Sequence, residues 1–319
     1  MPLSIGIDLG GSHLGVGLVD TTGAIQDFKE IKIDNLASPA TVLTLVSDTV
    51  KEVTKKAPSV SAVGIGLPGN HDSARGITRF SPNFPSWHNV SITDPLSKSL
   101  QLPVFMLNDV RAATLGELHF GAGKGVANLV MLAIGTGIGG GVVANRQLLI
   151  GPQEAAGEVG HMTIMPNGPL CNCGNRGCLE ALASGPSIAA RGAEAILHGR
   201  SPKLQERVTT LGDLSAKLIS EVASGGDPEA ARILEEAGDA LGIGIANLAV
   251  ILNPDLFILG GGVALAGKPL FDAIRRSLTK HLFMLKPETI SIVPAALGVR
   301  AGLTGAAAYG FLRTNTPIP

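Results

Sequence analysis

Cysteine is almost missing from this chain: 319 residues hold three, all inside CNCGNRGC, Cys171 to Cys178. An odd count gathered in one place leaves nothing elsewhere to pair with, so a disulfide framework is excluded and a reducing, cytoplasmic setting is expected. Long apolar runs are missing too. The longest, such as NLVMLAI and IANLAVIL, fall far short of the roughly 20 residues that a membrane-spanning helix needs. The opening Met1-Pro2-Leu3 leads straight into an alternating pattern with no basic n-region, so no secretory signal is expected. An excess of either charge is also lacking. With 25 basic and 26 acidic residues and a net charge of −1, the chain has no electrostatic footprint for nucleic acid.

What is present is apolar material and glycine. Hydrophobic residues make up 45% of the chain, enough for substantial cores, and the length predicts two domains. Forty-two glycines mean either disorder or many close backbone approaches, and the apolar fraction argues against disorder. Two alternating runs, Leu3 to Ile7 and Leu14 to Val19, flank a Gly-Gly turn and predict a β-hairpin. A helix over Pro39 to Lys56, the strand AVGIGLPG, a proline-punctuated loop RFSPNFPSWHNVS, a short helix from Asp94 to Leu100 and the strand LPVFML follow. Asn108 then reads as the N-cap of a helix that closes near Gly121. At Asn128 the opening device recurs as two apolar runs around GTGIGGG. Helices are expected over Pro186 to Leu197, Thr210 to Ala223 and Pro228 to Leu252, with DLFILGGG as a buried strand ending in glycines. The pattern is α/β, with a first domain over 1–120, a larger second over 121–298, and an amphipathic segment from Val299 to Leu312 that returns to the first.

GTGIGGG satisfies G-x-G-x-x-G, but a strand follows it where the dinucleotide fingerprint needs a helix. Its exposed backbone donors, with Thr136 and Gly137, suit phosphate oxygens, and an empty tight turn is the plain alternative. DLGGSH places Asp8 at a strand end, where it can hold Mg²⁺ or merely start a turn, while Gly10, Gly11 and Ser12 allow close approach to a phosphate. Gly260, Gly261 and Gly262 form a third such turn. Asp109 stands at a strand-to-helix junction, where the positive helix end favours its ionised form; an ordinary first-turn acid has the same address. The spacing C-x-C-x4-C over Cys171, Cys173 and Cys178 suits one tetrahedral zinc ion that wants a fourth ligand. His161 is the nearest candidate, and a hydrogen-bonded loop histidine is the alternative. Glu158 and Glu180 flank this segment as surface acids or as groups that orient a polyhydroxylated substrate; Asn83, between prolines, more simply makes a turn.

Taken together, IGIDLGGSHLGVGLVD, GIGLPG, LNDVRAATLGE, AIGTGIGGGVV, GEVGHMTIMPNGPLCNCGNRGCLEALAS and NPDLFILGGGVA resemble, in the same order, the ROK family (repressor, open reading frame, kinase) of sugar kinases and sugar-responsive repressors. The resemblance implies an actin-like ATPase (ribonuclease H-like) fold of two α/β domains around a cleft, in a homodimer or homotetramer. It implies phosphoryl transfer from ATP, with Mg²⁺, to the C6 hydroxyl of a hexose. Glucose is the default, with N-acetylglucosamine, N-acetylmannosamine, mannose and fructose as alternatives and polyphosphate as a second donor. Carried over by position, Asp109 is the catalytic base, and Asn83, Asn108, Glu158, His161 and Glu180 bind sugar. His161, Cys171, Cys173 and Cys178 hold structural Zn²⁺, while Asp8, Gly10, Gly11, Thr136 and the turn at Gly260 to Gly262 line the nucleotide site. His13 departs from the lysine found there in many members. The family's repressors carry a helix-turn-helix before the first strand; here strand pattern begins at Leu3 and Asp109 is present, so a kinase is expected and not a regulator.

Overall fold

The computed structural model describes residues 1–55, 57 and 59–318. The chain divides into two compact units, the first Met1–Ala127 with Gly141–Gly157 and Ala295–Pro319, the second Asn128–Gly140 with Glu158–Pro294.

In the first unit the expected hairpin forms from β1 (Leu3–Leu9) and β2 (His13–Asp20), closed where Gly10 N donates to His13 O at 3.0 Å. A further strand, β3 (Ile25–Lys32), pairs antiparallel with β2. Its sequence gave no apolar alternation because most of it faces solvent at a sheet edge. Helix α1 (Pro39–Thr54) begins with Ser38 accepting from Thr41 N and a proline in its first turn; the expected end at residue 56 lies outside the described residues. Strand β4 (Ala62–Leu67) is buried throughout. The stretch read as a loop, together with the residues before it, holds more structure than its prolines imply: β5 (Asn70–Asp72), β6 (Ile77–Phe80) and β7 (His88–Ser91) make a small antiparallel sheet. Pro82 and Pro85 fall in the β6–β7 connection, where no ladder hydrogen bond is lost, and the connection is anchored by Phe84 stacked on Trp87 at 4.2 Å, both fully buried. After α2 (Thr93–Leu100), β8 (Val104–Asn108) runs into α3 (Asp109–Phe120). The sheet order is β3-β2-β1-β4-β8, with β1, β4 and β8 parallel. Asp8, Leu67 and Asn108 therefore share one carboxyl edge, where open α/β sheets place their ligands.

The second sheet repeats that order. It takes β9 (Leu129–Ile134), β10 (Ile138–Ala144) and β11 (Gln147–Leu148), then β12 (Leu256–Gly260) and β13 (Ile292–Pro294), in the arrangement β11-β10-β9-β12-β13. The unit boundary passes through β10, so its last residues and β11 belong with the first unit. Helices of the second unit are α4 (Leu179–Ala183), α5 (Gly185–Leu197), α6 (Pro202–Glu206), α7 (Ala216–Ser224), α8 (Pro228–Leu252) and α9 (Lys268–His281). Helix α8 matches its sequence limits because both ends are marked: Asp227 accepts from Ala230 N, and Asn253 turns left-handed at φ 42°. The single helix expected over Thr210 to Ala223 is instead a 3-10 turn, Leu211–Asp213, followed by α7. Asp213 closes a capping box with Thr210, and Ser215 then caps a new start by accepting from Leu218 N, so two N-caps in close succession break the run.

The returning segment is α10 (Ala301–Arg313), which packs in the first unit against β1, β4 and α3. Here the glycine content finds its reason. A Cβ on Gly6 or Gly64 would run into the carbonyl oxygens of Leu303 and Ala306, and one on Gly305 into that of Ala112. Helix and sheet meet backbone to backbone, which only glycine permits. Among the described residues, no helix is long and apolar enough to cross a membrane.

Candidate active site

In the first unit the expected residues Asp8, Asn108 and Asp109 stand at the carboxyl edge of the sheet. Asn108 ends β8 and caps α3: its Oδ1 accepts from Val110 N at 3.1 Å and Arg111 N at 3.3 Å, while its Nδ2 donates to Gly69 O at 3.3 Å. That cap sets Asp109 in the first turn, where its Oδ1 accepts from Val110 N at 2.9 Å and the positive helix end faces its charge. Asp8, at the end of β1, is pushed up to about 6, first by burial, then by the charges of Asp109 and Glu30. Two acids that repel in this way form a donor set that a divalent cation relieves, and carboxylate oxygen is the ligand Mg²⁺ prefers. Glu30 was not singled out from the sequence. The register puts Gly15 opposite both Asp8 and Glu30, so the three fall in one row, which becomes visible only once β3 is recognised as a strand.

The turn at Gly10 and Gly11 lies against Asn83, whose Cβ sits 3.0 Å from where a Gly11 Cβ would be. Asn83 is thus more than a turn former: the Phe84–Trp87 anchor delivers it to the glycine hairpin. Ser12 Oγ lies 2.8 Å from His13 Nδ1, so these two polar side chains occupy each other at the turn. Sequence reasoning also missed Arg111. Its buried guanidinium donates to Glu154 O at 2.7 Å and Ala156 O at 3.0 Å, clamping to α3 the loop from which the chain passes on to Glu158. The Glu154 carboxylate in turn accepts from Ser73 N at 2.7 Å and Ser73 Oγ at 2.6 Å.

The second unit holds the other group of expected residues. His161, Cys171, Cys173 and Cys178 converge, with ligand atoms all within 4.8 Å of one another. Cys173 Sγ lies 3.7 Å from Cys178 Sγ, and Cys171 Sγ lies 3.7 Å from His161 Nδ1. A tetrahedral zinc ion with bonds of about 2.3 Å spaces its sulfurs by about 3.8 Å, so the donor set fits. Burial pushes the Cys171 and Cys178 thiols up, and ligating thiolates there need a cation beside them. Cys173, exposed, is lowered chiefly by the Asn175 N–H. Asn175 Nδ2 also donates to Cys178 Sγ at 3.4 Å and Thr163 Oγ1 at 2.9 Å, an outer layer that orients the sulfurs. The segment has little regular structure beyond the bridges Thr163↔Cys178 and Leu170↔Arg176.

Glu158 precedes the 3-10 turn Val159–His161 and is exposed, its carbonyl accepting from His161 N at 3.1 Å. Glu180 lies in the first turn of α4, directly after Cys178. Its Oε1 is 3.7 Å from Cys171 Sγ, and its Oε2 accepts from Ile138 N at 2.9 Å. The glycine hairpin is closed by Gly135 N donating to Gly137 O at 2.8 Å, and Gly185 N, at the start of α5, donates to Gly135 O at 2.8 Å. Thr136 is exposed at its tip. At the end of β12, Gly261 takes φ 83° with the Ile134 carbonyl where a side chain would go, while Gly262 faces open space. Hairpin, acid, thiols and imidazole are thus contiguous in this unit.

The sequence profile of the ROK family matches residues 4–310. The chain is 41% identical over 307 residues to the glucokinase of Thermotoga maritima, covering 95% of each protein. Among solved structures, a ROK hexokinase from Thermus thermophilus superposes with a TM-score of 0.83 at 32% identity, covering 99% of this chain and 100% of that one. A ROK family glucokinase from Streptomyces griseus, in complex with glucose and AMPPNP, superposes with a TM-score of 0.79 at 33% identity, covering 97% and 99%.

Proposed function

The chain belongs to the ROK family, and from that premise we propose an ATP-dependent hexose kinase that transfers the γ-phosphate to the C6 hydroxyl of glucose. The observation that carries this reading is Asp109, set by the Asn108 cap at the start of α3 and charged against Asp8 on one sheet edge. Phosphoryl transfer asks for positioning, a base near the nucleophilic hydroxyl and neutralisation of phosphate charge, and little covalent chemistry from the protein.

In this reading Asp109 accepts the proton of the sugar hydroxyl as its oxygen attacks the γ-phosphorus. Asn83, Asn108, Glu158, His161 and Glu180 bind the hexose, the two glutamates taking charge-assisted hydrogen bonds from its hydroxyls. Close approach at Gly10 and backbone donors at Gly11 and Gly137, with Ser12, Thr136 and the turn at Gly260 to Gly262, hold the nucleotide. Asp8 would hold Mg²⁺, which neutralises phosphate charge. His161, Cys171, Cys173 and Cys178 would hold a structural zinc ion, whose four protein ligands leave no position for a reacting group. With one imidazole nitrogen committed, His161 keeps a fixed tautomer and turns its other nitrogen to the sugar. By family resemblance the enzyme works in the cytoplasm as a homodimer or homotetramer.

The test is a coupled kinase screen over glucose, N-acetylglucosamine, N-acetylmannosamine, mannose and fructose, each with ATP and with polyphosphate. Glucose with ATP is expected to give the highest kcat/KM. A different sugar or donor at the top corrects the specificity, and no transfer to any hexose removes the kinase reading.

A further inference from the structure

Glu180 has two neighbours that sugar binding does not explain. Its Oε2 accepts the Ile138 N–H at 2.9 Å, directly after the Thr136-Gly137 tip of the phosphate hairpin. A Cβ on Gly137 would run into that same oxygen, so the absence of a side chain there is what lets the acid approach. Ile138 is also closely packed on its other side: its carbonyl lies where a Cβ on Gly160 would be, and Gly160 sits between Glu158 and His161. One residue of the donor hairpin is thus held at its N–H by one sugar-site acid, while its C=O packs against the turn that follows the other.

We propose that Glu180 is a positioning residue for the phosphate hairpin in addition to its place in the sugar site, so that one carboxylate couples hexose binding to nucleotide binding. The inference rests on the kinase reading above and adds a route between its two substrates. A hexose hydroxyl that donates to Glu180 fixes the carboxylate in the orientation that holds Ile138 N, and the hairpin's donors are then ordered before nucleotide arrives. Binding to an already ordered site costs less conformational entropy, so the coupling is positive. It is also reciprocal: nucleotide must tighten hexose by the same factor that hexose tightens nucleotide.

The measurement is the dissociation constant of AMPPNP with and without saturating glucose, and of glucose with and without AMPPNP, by calorimetry on zinc-loaded protein. The wild-type chain should show a tightening of about fivefold or more in each direction, the lower end of ordinary coupling. Glu180→Ala removes the acceptor of Ile138 N and should weaken AMPPNP about 10-fold even without glucose, as expected for a hydrogen bond to a charged group. Glu180→Gln restores an acceptor there, so AMPPNP affinity should return to within about twofold of wild type while glucose affinity stays low. Gly137→Ala, which displaces the carboxylate without removing it, should reduce the coupling factor to near one. It should also shift the visible spectrum of cobalt-substituted protein, through the Glu180–Cys171 contact. The proposal falls if glucose and AMPPNP bind wild type independently, or if Glu180→Ala leaves AMPPNP affinity unchanged. It falls equally if folded Gly137→Ala keeps wild-type coupling. Independent binding of both ligands sinks the coupling alone; failure of either to bind overturns the choice of glucose or ATP made above as well.

Discussion

The two sheets share one strand order, yet the hairpin that opens each is held in place by different means. In the first unit, β1 and β4 lie under α10 with backbone against backbone, and Asn83 is delivered by a fully buried Phe84–Trp87 stack. In the second, the hairpin is tied by single polar contacts, Glu180 to Ile138 N and Gly185 N to Gly135 O, to the first turns of α4 and α5, which follow a segment with little regular structure. A packed core supports the expected residues of the first unit; directional bonds and a fitted ion site support those of the second. Shape defects should therefore damage the first unit, and loss of a ligand atom the second.

The sharpest probe of the first unit is chemical. Asp109→Asn keeps shape and cap but removes the base, so kcat should fall at least about 100-fold with glucose affinity largely kept. Near-normal turnover in the folded variant would remove Asp109 from the role of base. The matching probe of the second unit is Cys173→Ser. Zinc content, expected at one ion per chain, should drop, and glucose affinity should fall about 10-fold or more, while hydrogen exchange across β1, β4 and α10 stays at wild-type protection. If chelated protein keeps its glucose affinity, the ion does not support this half and the contrast collapses. Third is packing: Gly305→Ala forces a methyl into the Ala112 carbonyl and should cost about 3 kcal/mol in denaturant unfolding of the first unit, with zinc content unchanged.

The smallest effect concerns acid. His119, buried in the first unit, is held down to about 4 from its ordinary 6.5, by burial first and by Arg146 second; burial lowers His71 as well. Between pH 6.5 and 4 the unfolded chain binds the His119 proton and the folded chain does not, so stability is fully present above 6.5 and declines as pH falls toward 4. His119→Leu should flatten that decline by on the order of 1 kcal/mol. An unchanged pH profile would show that His119 contributes nothing to it.

Legibility in the sequence followed where a residue's partner lies. Both ends of α8 were readable because Asp227 and Asn253 act on their own turns. The strand-to-helix address of Asp109 and the convergence of the cysteines were readable because each depends on local sequence, and β1 and β2 because apolar alternation marks them. Edge strand β3, mostly exposed, carried no such alternation, and Glu30 beside Asp8 was lost with it. The small sheet of β5, β6 and β7 was hidden by the prolines of one connection. Arg111 reads as a helical surface cation until the loop carbonyls at residues 154 and 156, far along the chain, are placed beside it. Glu180's contact with Ile138 depends likewise on a distant residue, and no local rule points to it.

Helix α10 also bears on how the protein is made. Gly6 meets Leu303 and Gly64 meets Ala306, partners separated by well over 200 residues of chain, so the first sheet to leave the ribosome waits for its cover until the second unit has been synthesised. At about 5–20 residues per second that interval lasts ten seconds or more, with the apolar face of β1 and β4 unshielded. Contacts of such sequence separation also slow refolding of the finished chain, because the connecting loop must close before they form. The β1–β4 face is therefore where a nascent chain is most prone to aggregate and where a chaperone has most to protect, and the second unit can reach its native state first.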